Sequence, residues 1–256
     1  MNEITVYPVR AFQDNYVWTL RRGADAVVVD PGDARPVLDY LRAEKLNLTA
    51  ILNTHHHADH VGGNAELLAH YKVPVYGPYD DRIPTVSHRV REGDRFSLDN
   101  LGIEFSVFEI PGHTKSHIAF HGGGMLYCGD TLFACGCGRL FEGTPAQMHT
   151  SLAKLARLPS DTRVYCGHEY TLSNIRFAQS AEPGNPELAR WEHSAKALRD
   201  RDEPTLPSTI GQEKKANPFL RCDQPSVIAA VSGHVGTPIN DAVSVLGALR
   251  DWKNDF

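Results

Sequence analysis

Five short apolar runs in the first two-thirds of this chain each stop at an aspartate or a histidine. "ADAVVVD" ends at Asp30, "LTAILNTHHH" at His55 and His57, "IEFSVFEIPGH" at His113, "GGGMLYCGD" at Asp130, and "TRVYCGH" at His168. Each run is bounded by Gly, Pro or polar residues, the pattern of a buried strand that ends in a loop. Helix-like stretches such as "ADHVGGNAELLAHY" lie between them. Alternation of this kind predicts a layered α/β architecture. In such folds ligands gather at the loops outside one end of a sheet. Strand ends lying side by side would therefore bring these residues together. Asp59 and His60, at the entry of the next helix, would point into the same space.

The last third has a different character. "NPELARWEHSAKALRD" offers Asn185 as an N-cap and Pro186 at the first helical position, followed by Leu188, Trp191, Ala195 and Leu198 at helical spacing. A Pro-rich connection leads to "SVIAAVSGHVG" and "DAVSVLGALRDW", both helix-like. A boundary near Gly167–Tyr170 is expected, giving one domain over 1–168 and a small all-helical one over 169–256. With 41% hydrophobic and 22% charged residues, the 256-residue chain can build a real core. A net charge of −5 gives no reason to expect nucleic acid or an anionic membrane as partner, and nothing implies a protein partner. No apolar run approaches a membrane span, and "MNEITVYPVRAF" lacks the pattern of a secretory leader. Five cysteines, an odd number with no CxxC pair, point to a reducing compartment, the cytoplasm, rather than to a disulfide framework.

The segment "NTHHHADHVGGN" holds four histidines in twelve residues. It reads either as a histidine-rich surface loop or as part of a metal site. The three later strand ends favour the metal site. Together the candidates comprise five imidazoles and the carboxylates of Asp59 and Asp130, a nitrogen/oxygen set without thiolate that suits zinc, iron or manganese. One ion would not use seven such ligands. Two divalent ions, joined by a carboxylate and a water, would use them all, and open positions on each are what catalysis needs. Metal pairs about 3.5–4 Å apart generate hydroxide and polarise an oxygen at once. His56 would point away from the other candidates, His117 is a candidate for the surroundings of the site, and Asp30 is expected to orient ligands or a tight turn. His70, His88, His121, His149, His193 and His234 read as surface or packing residues. The glycines of "HGGGMLY" read as a hairpin turn, since the Lys-Ser/Thr of a phosphate loop is missing. Cys135 and Cys137 in "ACGCGR" read as reactive thiols of a glycine-rich loop rather than as ligands.

"THHHADH" resembles the His-x-His-x-Asp-His signature of the metallo-β-lactamase superfamily. "FQDNYVW", "GDTLFACGCGRLFEGT", "CGHEYT" and "NPFLR" resemble the glyoxalase II family within it, over residues 12 to about 221. The resemblance implies a four-layer αββα sandwich followed by a helical domain. It implies that His55, His57 and His113 hold one metal, that Asp59, His60 and His168 hold the second, and that Asp130 bridges the two. Zinc is the first expectation for both ions. The implied reaction is hydrolysis of the thioester S-D-lactoylglutathione to D-lactate and glutathione by a metal-bridging hydroxide, the second step of methylglyoxal detoxification. Asp59 and Asp130 would then be catalytic through coordination rather than as general bases. The leaving group is a thiolate, so no strong general acid is demanded. The resemblance also implies substrate contacts from Arg139, from Phe141 where other members carry a tyrosine, from Tyr170 and from Arg221. A lysine that follows the last position in some members is missing here. The rivals are a lactonase or broader thioesterase of the same fold, a mononuclear iron persulfide dioxygenase, and a non-catalytic scaffold that has kept the fold for binding.

Overall fold

The computed structural model describes residues 3–256, so the first two positions of the expected 1–168 domain lie outside the described residues. The density of its contacts divides the chain into two units. The first is the chain through Glu109 together with Ser116–Gly129, and the second is Ile110–Lys115 together with Asp130–Phe256.

The first unit carries β1 (Thr5–Ala11), β2 (Asn15–Arg22), β3 (Asp25–Val29), α1 (Ala34–Ala43), β4 (Asn47–Leu52), α2 (Ala58–Val61), α3 (Asn64–His70), β5 (Val75–Gly77), β6 (His88–Arg89), β7 (Arg95–Leu98), β8 (Ile103–Glu109), β9 (Ile118–Gly122) and β10 (Met125–Gly129). One sheet runs β1-β2-β3-β4-β5-β6, antiparallel up to β3 and parallel from there. β7 to β10 pair antiparallel in a second sheet. Strands β3 and β4 are nearly continuous in β-branched and aliphatic residues because both faces are covered. On one face Val37 and Leu41 of α1 and Leu67 of α3 pack with Val17, Val28 and Ile51. On the other, Tyr76 stacks on Phe96 (centroids 4.2 Å apart), and Phe105 and Phe120 extend the aromatic layer. β8 alternates buried Ile103, Phe105 and Val107 with more exposed residues, the period of a strand covered on one side.

Two local features depart from the reading of the sequence or complete it. The helix-like stretch "ADHVGGNAELLAHY" holds two helices, because the chain turns after α2 and Gly63 N donates to Pro31 O (2.9 Å). The "HGGGMLY" glycines do form a hairpin turn, with positive φ at Gly123 and Gly124 between β9 and β10.

The second unit carries β11 (Leu132–Phe133), β12 (Gly136–Cys137), α4 (Pro145–Leu155), β13 (Arg163–Cys166), α5 (Thr171–Ala181), α6 (Pro186–Arg199), β14 (Ser208–Thr209), α7 (Ile210–Ala216), a 3-10 turn (Pro218–Leu220), α8 (Pro225–Val235) and α9 (Ala242–Asp255). Asn185 caps α6 as expected, accepting from Glu187 N (3.0 Å). Thr144 and Gln147 form a reciprocal capping box on α4. Phe177 of α5 packs on Phe219 and Trp252, joining α5, the 3-10 turn and α9. Glu213 of α7 is wholly buried, and its carboxylate accepts from Cys135 N, Ser208 Oγ and Asn217 Nδ2. Among the described residues no helix is long and apolar enough to cross a membrane.

Candidate metal centre

In the first unit the ends of β3 and β4 lie level, since Val29 pairs with Leu52 and Asp30 N donates to Leu52 O (2.9 Å). Asp30 adopts a left-handed backbone (φ 53°), which turns its carboxylate across the end of β4. There it accepts from Thr54 N (2.7 Å) and from Thr54 Oγ1 (2.7 Å), and His60 Nδ1 lies 3.1 Å from its Oδ2. The carboxylate can only accept, so His60 Nδ1 carries the proton and the ring's lone pair sits on Nε2. The Thr54 hydroxyl hydrogen points to Asp30. The contact of Thr54 Oγ1 with His55 Nδ1 (3.0 Å) is then one in which the imidazole donates. His55 is thereby set to the same tautomer. One aspartate orients two candidate histidines, directly and through a threonine, as acidic partners of metal-binding imidazoles commonly do.

The other candidates of this unit lie close by. The rings of His57 and His60 stand 4.7 and 4.1 Å from that of His55, centroid to centroid. Asp59 Oδ2 lies 3.4 Å from His60 Nε2. Asn15 Nδ2 donates to Asp59 Oδ2 (3.0 Å) and reaches its carbonyl. At Gly32 the backbone of Asp59 comes so near that an added Cβ would stand 1.9 Å from its carbonyl oxygen, so no side chain fits there. His117 is buried with its ring stacked on His55 (4.5 Å). His56 Nδ1 faces Asp80 (3.6 Å), though its ring stays 4.8 Å from that of His57 rather than turning fully away from the candidates.

In the second unit Asp130 Oδ2 lies 3.5 Å from His113 Nε2 and 3.2 Å from His168 Nε2. His113 Nδ1 donates to Arg139 O (2.9 Å), which leaves its lone pair on the nitrogen facing the aspartate. Gly138 admits this turn, because a Cβ there would lie 1.9 Å from Asp130 O. Three of the expected substrate contacts border the same group. Arg139 supplies that carbonyl, the exposed ring of Phe141 stands 5.3 Å from the His113 ring, and Tyr170 stacks on His168 (4.8 Å, nearly parallel). Arg221 has other partners: its Nε and Nη2 pair with Glu182 (2.8 and 2.7 Å), and Nη1 donates to Lys214 O.

Several contributors have no mark in the sequence. Thr54 is an unremarkable polar residue after a strand, and Asn15 reaches Asp59 across 44 positions. Glu169 follows His168 and anchors it by accepting from Thr205 N and Oγ1. The expectation of reactive thiols at Cys135 and Cys137 is wrong. Both are buried, and burial pushes both thiols up, Cys135 well above the ordinary value, so neither offers a thiolate near neutral pH.

Each unit thus presents nitrogen and oxygen donors, with His55, His60 and His113 held in the tautomer that leaves Nε2 open, which fits divalent ions. Comparison with known proteins defines the class first. The metallo-beta-lactamase superfamily matches residues 12–168, and the hydroxyacylglutathione hydrolase C-terminus matches residues 169–256. The fold is therefore the expected α/β sandwich with a helical C-terminal region, and together with its His/Asp groups it supports divalent-metal binding. The hydroxyacylglutathione hydrolase of Nitrosomonas europaea is 53% identical, over 99% of this chain and 97% of its own length. That of Alkalilimnicola ehrlichii is 54% identical over 99% of each. The di-iron-bound crystal structure of TTHA1623 is 29% identical with a TM-score of 0.61, covering 84% of this chain and all of its own. The chain belongs to the hydroxyacylglutathione hydrolase family.

Proposed function

We propose that this chain hydrolyses S-D-lactoylglutathione to D-lactate and glutathione with the help of two divalent metal ions. The observation that carries the reading is Asp130, a carboxylate flanked at 3.5 and 3.2 Å by the Nε2 atoms of His113 and His168. In this reading His55, His57 and His113 hold one ion and Asp59, His60 and His168 the other. Asp130 would help to hold both, and zinc is the first choice of metal. When bound, the ions lower the pKa of water and stabilise charge on a carbonyl oxygen.

The chain's own residues do the rest. Asp30 keeps the His60 and His55 lone pairs on Nε2, and Asn15 holds the Asp59 carboxylate in one orientation. Arg139 presents a cation to the glutathionyl carboxylates. Tyr170, fixed by its stack on His168, offers a hydroxyl to the same moiety. Arg221 meets a substrate carboxylate at the Nη1 edge that now donates to Lys214 O. The catalytic part extends through residue 168 and the substrate-binding helical part spans 169–256. Five buried, unbridged thiols suit the cytoplasm.

Two variants probe this arrangement. Asp30→Asn should weaken metal binding about 10- to 100-fold while leaving the protein folded, as measured by zinc competition titration. Phe141→Tyr restores a hydroxyl on a ring that is 63% exposed beside His113. It should lower KM about threefold to tenfold with kcat unchanged, the worth of one hydrogen bond. The assignment of substrate is tested by comparing initial rates on S-D-lactoylglutathione, a non-glutathione thioester and a simple lactone. The glutathione thioester should be turned over fastest, and preference for the lactone would overturn the reading.

A further inference from the structure

We propose that Asp80 is a positioning residue that braces the His55–His57 segment from two sides, through His56 and through Ser116. The proposal rests on the reading of His55 and His57 as metal ligands.

Asp80 lies in the loop after β5 and is only 7% exposed. It accepts from Arg82 N (3.0 Å), Arg82 Nε (2.8 Å) and Arg82 Nη2 (2.7 Å), so the loop closes on itself and fixes the carboxylate. Two further contacts leave the loop. Ser116 Oγ donates to Oδ2 (2.5 Å), and His56 Nδ1 stands 3.6 Å from the same oxygen. Ser116 immediately precedes His117, whose ring lies flat against that of His55 (4.5 Å, 14° between planes). His56 sits in the backbone between His55 and His57. The Ser116 hydrogen bond therefore ties this oxygen to the ring that backs His55, while His56 Nδ1, beyond hydrogen-bond distance, meets the same oxygen as an electrostatic contact between His55 and His57. Burial works to raise the pKa of this carboxyl, but the hydrogen bonds from Arg82 and Ser116, with the Arg82 charge, hold it well below the usual carboxylate range. The brace is a permanent negative charge at any working pH. It is separate from Asp30, which acts on Thr54 and His60 from the end of β3.

A brace of this kind governs how fast a metal leaves. The test is release of zinc from the fully loaded protein to a chromophoric chelator, for wild type, Asp80→Asn, His56→Leu and Ser116→Ala, with thermal unfolding of each. Asp80→Asn keeps the size of the side chain but not its charge, and Ser116→Ala is the mild variant should Asp80→Asn fold poorly. The expected result is about tenfold faster loss of one zinc equivalent in Asp80→Asn and a smaller acceleration of the same equivalent in His56→Leu and Ser116→Ala, at the low end of the effect of removing a ligand's supporting partners. The second equivalent should leave at the wild-type rate, and kcat should fall with KM unchanged. Release at the wild-type rate in all three variants would overturn the proposal. So would equal acceleration of both equivalents in step with a lowered Tm, the mark of general loosening. If the wild type held no zinc to release, the dinuclear reading itself would fall and the brace with it, which separates the two failures.

Discussion

Asp130→Ala is expected to lose thioester hydrolysis by about three orders of magnitude, roughly 4 kcal/mol of transition-state stabilisation, and to lose bound metal in parallel. The side chain is buried between His113 and His168 and is the only carboxylate candidate of its unit, so nothing there replaces it. The fold should survive the change. The Asp130 carbonyl is packed against Gly138 and the turn is closed by Gly138 N donating to Thr131 O (3.2 Å), contacts that do not use the carboxylate. Metal content by emission spectroscopy and kcat/KM on the thioester should fall together, with circular dichroism unchanged. Full metal occupancy with normal turnover would remove Asp130 from the site.

Glu213→Gln is expected to stabilise the protein at alkaline pH and to leave it unchanged in acid. Burial pushes the Glu213 carboxyl up to about 7 from an ordinary 4.5, against the pull of its hydrogen bonds from Ser208, Asn217 and the Cys135 backbone. A carboxyl raised in the folded state favours folding in its protonated form. Its contribution is complete below pH 4.5 and is lost as pH rises through about 7. The span corresponds to about 3 kcal/mol. Glutamine is neutral at every pH. Its oxygen can accept from Cys135 N and Asn217 Nδ2, and its amide can donate to Ser208 Oγ, in the places the carboxylate oxygens now occupy. Denaturant unfolding from pH 4 to 9 should show a difference near zero at the acid end that grows to about 3 kcal/mol in favour of the variant. A difference constant with pH would show that Glu213 is ionised throughout.

How much of this was legible in the amino-acid sequence depended on how locally each feature is encoded. The strands that end at Asp30, His55 and Asp130 are short, buried on both faces and stopped by glycine or polar residues, so their ends announce themselves. Helix α6 was equally plain, because Asn185 and Pro186 mark its start. Contacts that span the chain were not visible. Asn15 to Asp59, Asp80 to Ser116 and Arg221 to Glu182 join residues 44, 36 and 39 positions apart, and no local pattern couples them. The burial of the "ACGCGR" thiols is hidden from the sequence for the same reason. A glycine-rich stretch looks exposed, but Glu213, 78 residues further on, ties Cys135 N into a buried network. Thr54 carries no mark in the sequence because its importance depends on β3 and β4 being neighbours in register, a fact of topology rather than of spacing.

The most direct test of the central claim is the initial rate of S-D-lactoylglutathione hydrolysis, followed by loss of thioester absorbance, for three samples of known metal content: as purified, chelator-stripped, and stripped then reloaded with zinc. Dinuclear metal-dependent hydrolysis requires rapid turnover in the first, essentially none in the second, and recovery in the third that saturates near two equivalents of zinc per chain. Undiminished hydrolysis by the stripped protein, or no hydrolysis by protein carrying two metals, would contradict it.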